Sequence, residues 1–337
     1  MHDELPERPR VRPGLPVLRR QAGEIQIGLD PRHATVVTGL PEPVVRAAGM
    51  LAGHRTTADL LAEIGPDPAG RAALRDLLSG LTAKGLLHDA ATATPVPSRL
   101  IGEESARHGD PAGRAALAVA VHGDGRLAVA TACLLATAGV GRVHVAAEGQ
   151  VRPEDVGLGY QDDDIGRDRR SAAEDAVRRV DATVRTGRFH ARQRPDLVLL
   201  TDSVVPDPAL VGVLTTDAVP YLVVHVRDGV GVVGPLVVPG LTGCLRCADL
   251  RRAQADQCWP GIAAQLAGRP QLADLACTQA TASFAAAQAL DALRWSRSAS
   301  TRPATWNATV EIDPGSATTH HRAWPPHPAC PCRGVRR

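Results

Sequence analysis

Four of the seven cysteines in this 337-residue chain fall into two close pairs that lie far apart in sequence. Cys244-Leu-Arg-Cys247 follows a Pro-Gly turn and opens the stretch ADLRRAQAD, while Cys330-Pro-Cys332 sits near the C-terminus in HPACPC. Thiolates are soft ligands, and two such pairs suit one tetrahedral zinc ion, each turn supplying two sulfurs. A C-x-C pair is geometrically tighter than a C-x2-C knuckle, so His327 stands as an alternative fourth ligand. With every position filled by protein, the metal would be structural and would staple the tail to the sheet. The plainer reading is four unrelated reduced thiols, and zinc is the stronger expectation because thiols paired in a reducing compartment more often bind metal.

A second set could handle phosphate. Gly123-Asp124-Gly125 ends the apolar run LAVAVH and precedes the helical run RLAVATACLLAT, where backbone amides can meet an anion. His122 and Arg126 replace the small residues that let a pyrophosphate approach closely, and a tight glycine turn alone explains the motif equally well. Thr201-Asp202-Ser203 closes the run DLVLLT, at the strand end where open α/β sheets bind ligands. Asp202 could hold magnesium or position a phosphate; it could instead cap the helix beginning at DPAL. Cys133 and Cys277 lie in apolar helices as inert thiols, and Cys258 lies in a loop with nothing beside it to activate it. His320, His321 and His327 read as exposed tail residues.

The elements that must carry these residues fall into two blocks, as the length of the chain suggests. Residues 15–90 form the first. LPVLRR, EIQIGL and ATVVTGL alternate as short strands, and helices follow at 43–51, 57–64 and 71–83, the last striped by Leu74, Leu77, Leu78 and Leu81. Thr56 or Thr57 can cap the middle helix, and LLH closes the block as a final strand. Three helices with flanking strands describe a winged-helix-like module. Residues 1–14 are expected to be a disordered tail and 91–98 a linker of small residues and prolines. From about residue 115, strands and helices alternate: LAVAVH, a helix at 127–138, RVHVAA, a helix at 171–186, DLVLLT and YLVVHV. That order predicts an α/β fold with a parallel sheet and helices on both faces. GVGVVGPLVVPG then reads as an antiparallel hairpin extending the sheet, 272–295 as a long apolar helix and ATWNATVEID as a late strand.

Composition narrows the function classes. Apolar residues make up 44% of the chain and aromatics only 2%, so the core must be built from Ala, Val and Leu. A net charge of +2 provides no concentrated basic face for nucleic acid. No run reaches the ~18 apolar residues of a membrane span, and the charged N-terminus lacks a signal-peptide core. The expectation is a cytoplasmic protein.

Strand, G-x-G turn, helix, AGVGRV, DIG, TDS, GPLVVPGLTGCLRC and the late paired cysteines together resemble the ThiF/MoeB/HesA family over about residues 99–332. These are adenylyltransferase-fold proteins related to ubiquitin-activating enzymes. The resemblance implies a Rossmann-like mixed sheet for residues 99–337, with a zinc knuckle and an ATP/Mg site. Residues 15–90 resemble the PqqD-type element that grips leader peptides of ribosomally made, modified peptides. LPVLRR and EIQIGL are expected to leave an exposed sheet edge and a hydrophobic groove beside the leucine-striped helix, where a peptide could add a strand. The pair of domains is similar to leader-binding partners of azole-forming cyclodehydratases, which serve a YcaO-type enzyme. Relatives commonly dimerise, so a homodimer is part of what the resemblance implies.

The departures from that pattern bear on activity. Active members carry an acid after the second strand, then Asn-Leu-x-Arg-Gln, then a lysine. Here the acid position falls on Ala146 or, shifted, Glu148, and PEDVGLGY replaces the Asn and Arg-Gln groups. Arg169 stands at the lysine position, because the only lysine, Lys84, belongs to the first block. Asp202 is kept as the catalytic candidate, with Gly123, Gly125, Arg126 and Arg169 as remnants of a degenerate ATP site. Each lost donor to a developing oxyanion costs roughly 10²–10³ in rate. The reading is a precursor-peptide carrier with an impaired nucleotide site. A working adenylyltransferase is the alternative, and the missing ribose acid disfavours a nicotinamide-dependent oxidoreductase.

Overall fold

A computed structural model of the chain describes residues 5–12, 14–92, 111–190, 193–298 and 301–334. It divides into two units, residues 1–111 and 112–337. Most of the expected linker at 91–98 lies outside the described residues.

The first unit contains β1 (Pro9–Val11), β2 (Val17–Arg19), β3 (Ile25–Ile27), β4 (Thr35–Val37), α1 (Glu42–Ala48), α2 (Thr57–Ile64), α3 (Pro68–Ala83) and β5 (Leu87–Asp89). Strands β2, β3 and β4 form an antiparallel sheet in that order, and β1 pairs with β5. Thr56 starts α2 with a reciprocal cap: its hydroxyl accepts from the Asp59 N–H, and the Asp59 carboxylate accepts from the Thr56 N–H. Asp67 caps α3 through the Ala69 and Gly70 amides, and Pro68 occupies the first helical position, where its missing N–H is harmless.

Two expectations for this unit are corrected. Residues 9–11 are a strand and not part of a disordered tail. Val11 is buried, and the Asp89 carboxylate accepts the Glu7 and Arg8 amides, partners too distant in sequence to be read from a local pattern. The stripe Leu74, Leu77, Leu78 and Leu81 is wholly core, packed with Ile25, Ile27, Val44 and Leu60. It therefore lines no open groove beside the sheet. The outward row of the small sheet is Leu18, Gln26 and Val36, in register with one another, with Leu18 and Val36 exposed. Arg19 is engaged by Glu42 through two hydrogen bonds of 2.8 and 3.0 Å.

Helix α4 (Pro111–Ala115) begins at the division, and the second unit is built on a seven-stranded sheet, β6 (Ala118–His122), β7 (Arg142–Ala146), β8 (Leu197–Leu200), β9 (Tyr221–Arg227), β10 (Val230–Val237), β11 (Ala308–Asp313) and β12 (Thr318–Ala323). The order is β12-β11-β10-β9-β8-β6-β7, parallel from β7 to β9 and antiparallel from β9 to β12. Helices α5 (Arg126–Thr137), α6 (Arg169–Val180) and α10 (Leu275–Ser298) contribute to the core on one face, while α7 (Pro208–Thr216) packs on the other. Alternation sorts the strands between them. Val119, Val121, Leu197 and Leu199 join the first core, and Ala120, Val198 and Leu200 the second. Where α10 meets α5, the buried residues are mostly alanines, including Ala128, Ala132, Ala282, Ala285 and Ala289. Small side chains allow close helix approach, which is how so aromatic-poor a chain fills its interior.

Boundaries differ from expectation where polar side chains act. Helix α6 stops at Val180 and not at 186, because the Asp181 carboxylate accepts from the Thr183 N–H and hydroxyl, closing an Asx turn. Asp228 and Gly229, both at positive φ, make the tight turn between β9 and β10. His320 and His321 belong to β12, an exposed edge strand that the sequence reading placed in a tail. Two further helices are α8 (Leu245–Ala255), which starts after Cys244 and carries Cys247 in its first turn, and α9 (Trp259–Leu266). No described helix is long and apolar enough to cross a membrane.

Candidate functional site

The sheet reverses its order between β6 and β8, and a cleft opens at the carboxyl ends of these strands, the switch-point position for ligands. Close side-chain packing requires the first glycine of the turn. A Cβ on Gly123 would lie 1.9 Å from the Thr201 Oγ1 and 2.5 Å from an Asp202 Oδ2, so nothing larger fits. The Thr201 hydroxyl donates to the His122 carbonyl at 2.9 Å, locking β8 to β6 at this end.

Asp202 does not cap the next helix; Asp207 does, accepting from the Ala209 N–H at 3.0 Å. Asp202 instead turns back at φ 72° and accepts the Gly125 N–H at 2.9 Å. The amide at the mouth of the glycine turn is thus already engaged. Burial, with a smaller push from the nearby Asp124 charge, brings the Asp202 carboxyl up to about 6. Asp124 in turn accepts the Glu148 N–H at 2.7 Å, joining the turn to the end of β7.

Arg169, at the start of α6, is nearly buried and is held by Asp155. Its Nη2 and Nε donate to one Asp155 oxygen at 2.6 and 3.2 Å, and its Nη1 reaches the Glu148 carbonyl at 3.3 Å. The Tyr160 hydroxyl donates to the Arg169 carbonyl at 3.1 Å. Arg126 donates through Nη2 to the Glu154 carbonyl, and its buried Nε has no partner among the described residues. Gly125, Arg126, Arg169 and Asp202 all line one cavity of ≈ 340 Å³, together with Asp124, Arg152, Glu154 and Asp155. Gly123 lines a second cavity of ≈ 410 Å³ with Asp124, His122, His144, Glu148 and Arg188. Burial holds the His144 imidazole near 4, so it is neutral at physiological pH. The structure therefore brings the five sequence candidates to one turn with two lobes. The sequence reading missed Asp155. Its one signal was an arginine at the lysine position with an acid in the loop before it.

A larger cavity, ≈ 760 Å³, lies elsewhere, lined by Cys133, Leu134, Tyr160 and Arg179. Burial raises the Cys133 thiol to about 11, which leaves it unreactive at neutral pH.

The cysteine pairs converge as expected. The Cys244 and Cys247 sulfurs are 3.9 Å apart, Cys244 and Cys330 are 3.6 Å apart, and Cys247 and Cys332 are 3.5 Å apart. All four sulfurs lie within 4.8 Å of one another, so the cluster could hold a metal ion. Four sulfurs at about 2.3 Å from a tetrahedral zinc would stand about 3.8 Å apart, which is the spacing of these pairs. His327 is buried beside the tail, but its Nδ1 accepts the Ala329 N–H, and the four sulfurs cluster without it. Several contacts bring the tail into place. Arg251 donates to the Pro325 and Pro326 carbonyls, the Asn307 side chain accepts the Gly243 N–H at 2.7 Å, and the Arg252 guanidinium lies over both Trp259 and Trp324.

No family model and no curated protein matches this sequence. Solved structures do resemble it. E. coli MccB with MccA-N7isoASN superposes with a TM-score of 0.73 at 16% identity, covering 97% of this chain and 99% of that one. E. coli MccB with ATP gives 0.72 at 15% identity over 96% and 99%. The microcin C7 biosynthetic enzyme MccB in complex with N-formylated MccA gives 0.70 at 15% identity over 97% and 99%. The chain therefore has the ThiF-type, Rossmann-like fold of MccB, a mixed sheet flanked by helices.

Proposed function

We propose that this chain binds a ribosomally made precursor peptide by its leader and presents it to a modifying enzyme of the YcaO cyclodehydratase type, with an ATP/Mg site too degenerate to activate the peptide efficiently. The observation that carries this reading is the state of the cleft. Gly125 gives its amide to Asp202, Arg169 gives its guanidinium to Asp155, and carboxylates outnumber arginines around the cavity. A polyphosphate would meet repulsion where an activating site offers unengaged positive charge. The shared fold with a microcin biosynthetic enzyme found with MccA supports the peptide half of the reading. The PqqD-like role of the first unit, a cytoplasmic location and a homodimer belong to the same proposal.

Zinc is the metal proposed for the cysteine cluster. Cys244, Cys247, Cys330 and Cys332 would hold it with no open position, so its contribution is structural, tying the tail to the start of α8.

One observation favours a second reading, an active adenylyltransferase. Asp202, Arg126 and Arg169 do line a single cleft in a fold that, in E. coli MccB, was solved with ATP. Fluorescence anisotropy with a labelled precursor peptide tests the first reading. The full chain should bind the leader segment and the whole peptide alike, without ATP. Binding that requires ATP, or that ignores the leader, would overturn it.

A further inference from the structure

The loop between β7 and α6 places an anion of its own inside the cleft. Asp155 ends the short helical turn Pro153–Asp155, and its side chain is only 4% exposed. One of its oxygens accepts three donors, the Arg152 N–H at 2.9 Å and the Arg169 Nη2 and Nε at 2.6 and 3.2 Å. The carbonyl of the preceding residue, Glu154, takes the Arg126 Nη2. One turn thus engages both guanidinium groups that face the cavity from the starts of α5 and α6. The Arg126 Nε remains buried, a donor with no acceptor in reach among the described residues.

A buried guanidinium needs an anion. Where a ligand phosphate would supply it, Asp155 supplies it here, and a phosphate oxygen approaching Arg169 would come into contact with a carboxylate it must displace. We propose that Asp155 is a resident anion that pre-empts the phosphate side of the cleft, so that removing its charge creates a site for a phosphate-bearing ligand on Arg169 and Arg126. This rests on the reading above that the nucleotide site is degenerate, and it identifies the residue that keeps it so. Arg169 supplies the positive charge, and the unpartnered Arg126 Nε supplies a ready donor.

The test uses the full-length chain with inorganic pyrophosphate and Mg-ATP as probes, followed by calorimetry at low ionic strength. Asp155→Asn keeps the size and an acceptor for the Arg152 amide while removing the charge. Asp155→Ser is a smaller second variant with the same purpose, and Asp155→Glu retains the charge as a control. Thermal unfolding checks that each variant is folded. The expected result is at least a tenfold gain in pyrophosphate affinity for Asp155→Asn and Asp155→Ser, none for Asp155→Glu, and loss of the gain when Arg169→Gln is added. Folded neutral variants that bind no better than a wild type that itself binds weakly would overturn the role of Asp155 and leave the degenerate-site reading standing. Micromolar binding by the wild type would overturn both.

Discussion

Replacing Asp202 with asparagine should make the second unit more stable at neutral pH and leave it unchanged in acid. Asp202 is 6% exposed, with a carboxyl raised from the usual 3.8 to about 6 by burial. A raised carboxyl means that the native state holds the proton more tightly than the unfolded chain. Stability from this group is therefore fully present below about pH 4 and is lost as pH rises through about 6. The difference of about two pKa units corresponds to about 3 kcal/mol of cost for the buried charge at pH 7.5. Asparagine avoids that cost and tolerates the positive φ at this position. Its Oδ1 can still accept the Gly125 N–H, but its amide brings two N–H donors into a buried position, which costs about 1 kcal/mol. The net expectation is a gain of about 1–2 kcal/mol, or about 2–8 °C in Tm for a unit of this size. Thermal unfolding of wild type and Asp202→Asn at pH 7.5 and pH 4 reads it directly. A variant less stable than wild type at both pH values by the same margin would refute the argument, because it would mean that the carboxylate is well solvated or paired.

Metal analysis of the purified protein should find about one zinc per chain, and the double variant Cys330→Ser with Cys332→Ser should lose both the metal and thermal stability. A metal-free wild type of equal stability would contradict the staple. Leu78, fully buried in the first unit, should cost about 2–5 kcal/mol on change to alanine, measured by urea unfolding, while zinc content stays unchanged. His225 is fully buried, and burial lowers its imidazole to about 3, so the unfolded chain binds the proton more readily. Stability should fall as pH drops from about 6.5 to 3, at up to about 1.4 kcal/mol per pH unit from this group. His225→Phe should flatten that slope, as followed by denaturant titration at several pH values.

Much of the architecture was legible because its signals are local. The β6–α5–β7 unit announces itself by apolar run, glycine turn and alanine-rich helix, whereas GVGVVGPLVVPG, expected as a hairpin of its own, is the single strand β10 paired with β9. The cysteine cluster was legible for a different reason: thiols at C-x2-C and C-x-C spacing imply a shared ligand even when 82 residues lie between Cys247 and Cys330. What escaped depends on distant partners. Pro9–Val11 reads as tail until Leu87–Asp89 pairs with it, and β12 has six exposed residues and hence no apolar alternation. The leucine stripe of α3 was correctly placed on a helix, but periodicity cannot distinguish a core face from a docking groove. In the cleft, residue types located Asp202, Arg126 and Arg169, whereas the pairing of Arg169 with Asp155 is a tertiary contact across a loop.

The measurement that bears most directly on the central claim is ATP–pyrophosphate exchange by the full-length chain in the presence of its precursor peptide. A carrier with an engaged, acidic cleft should incorporate label no faster than the Asp202→Ala variant, with or without peptide. Exchange that the peptide stimulates, and that disappears in Asp202→Ala, would show that the chain activates its peptide and would contradict the account.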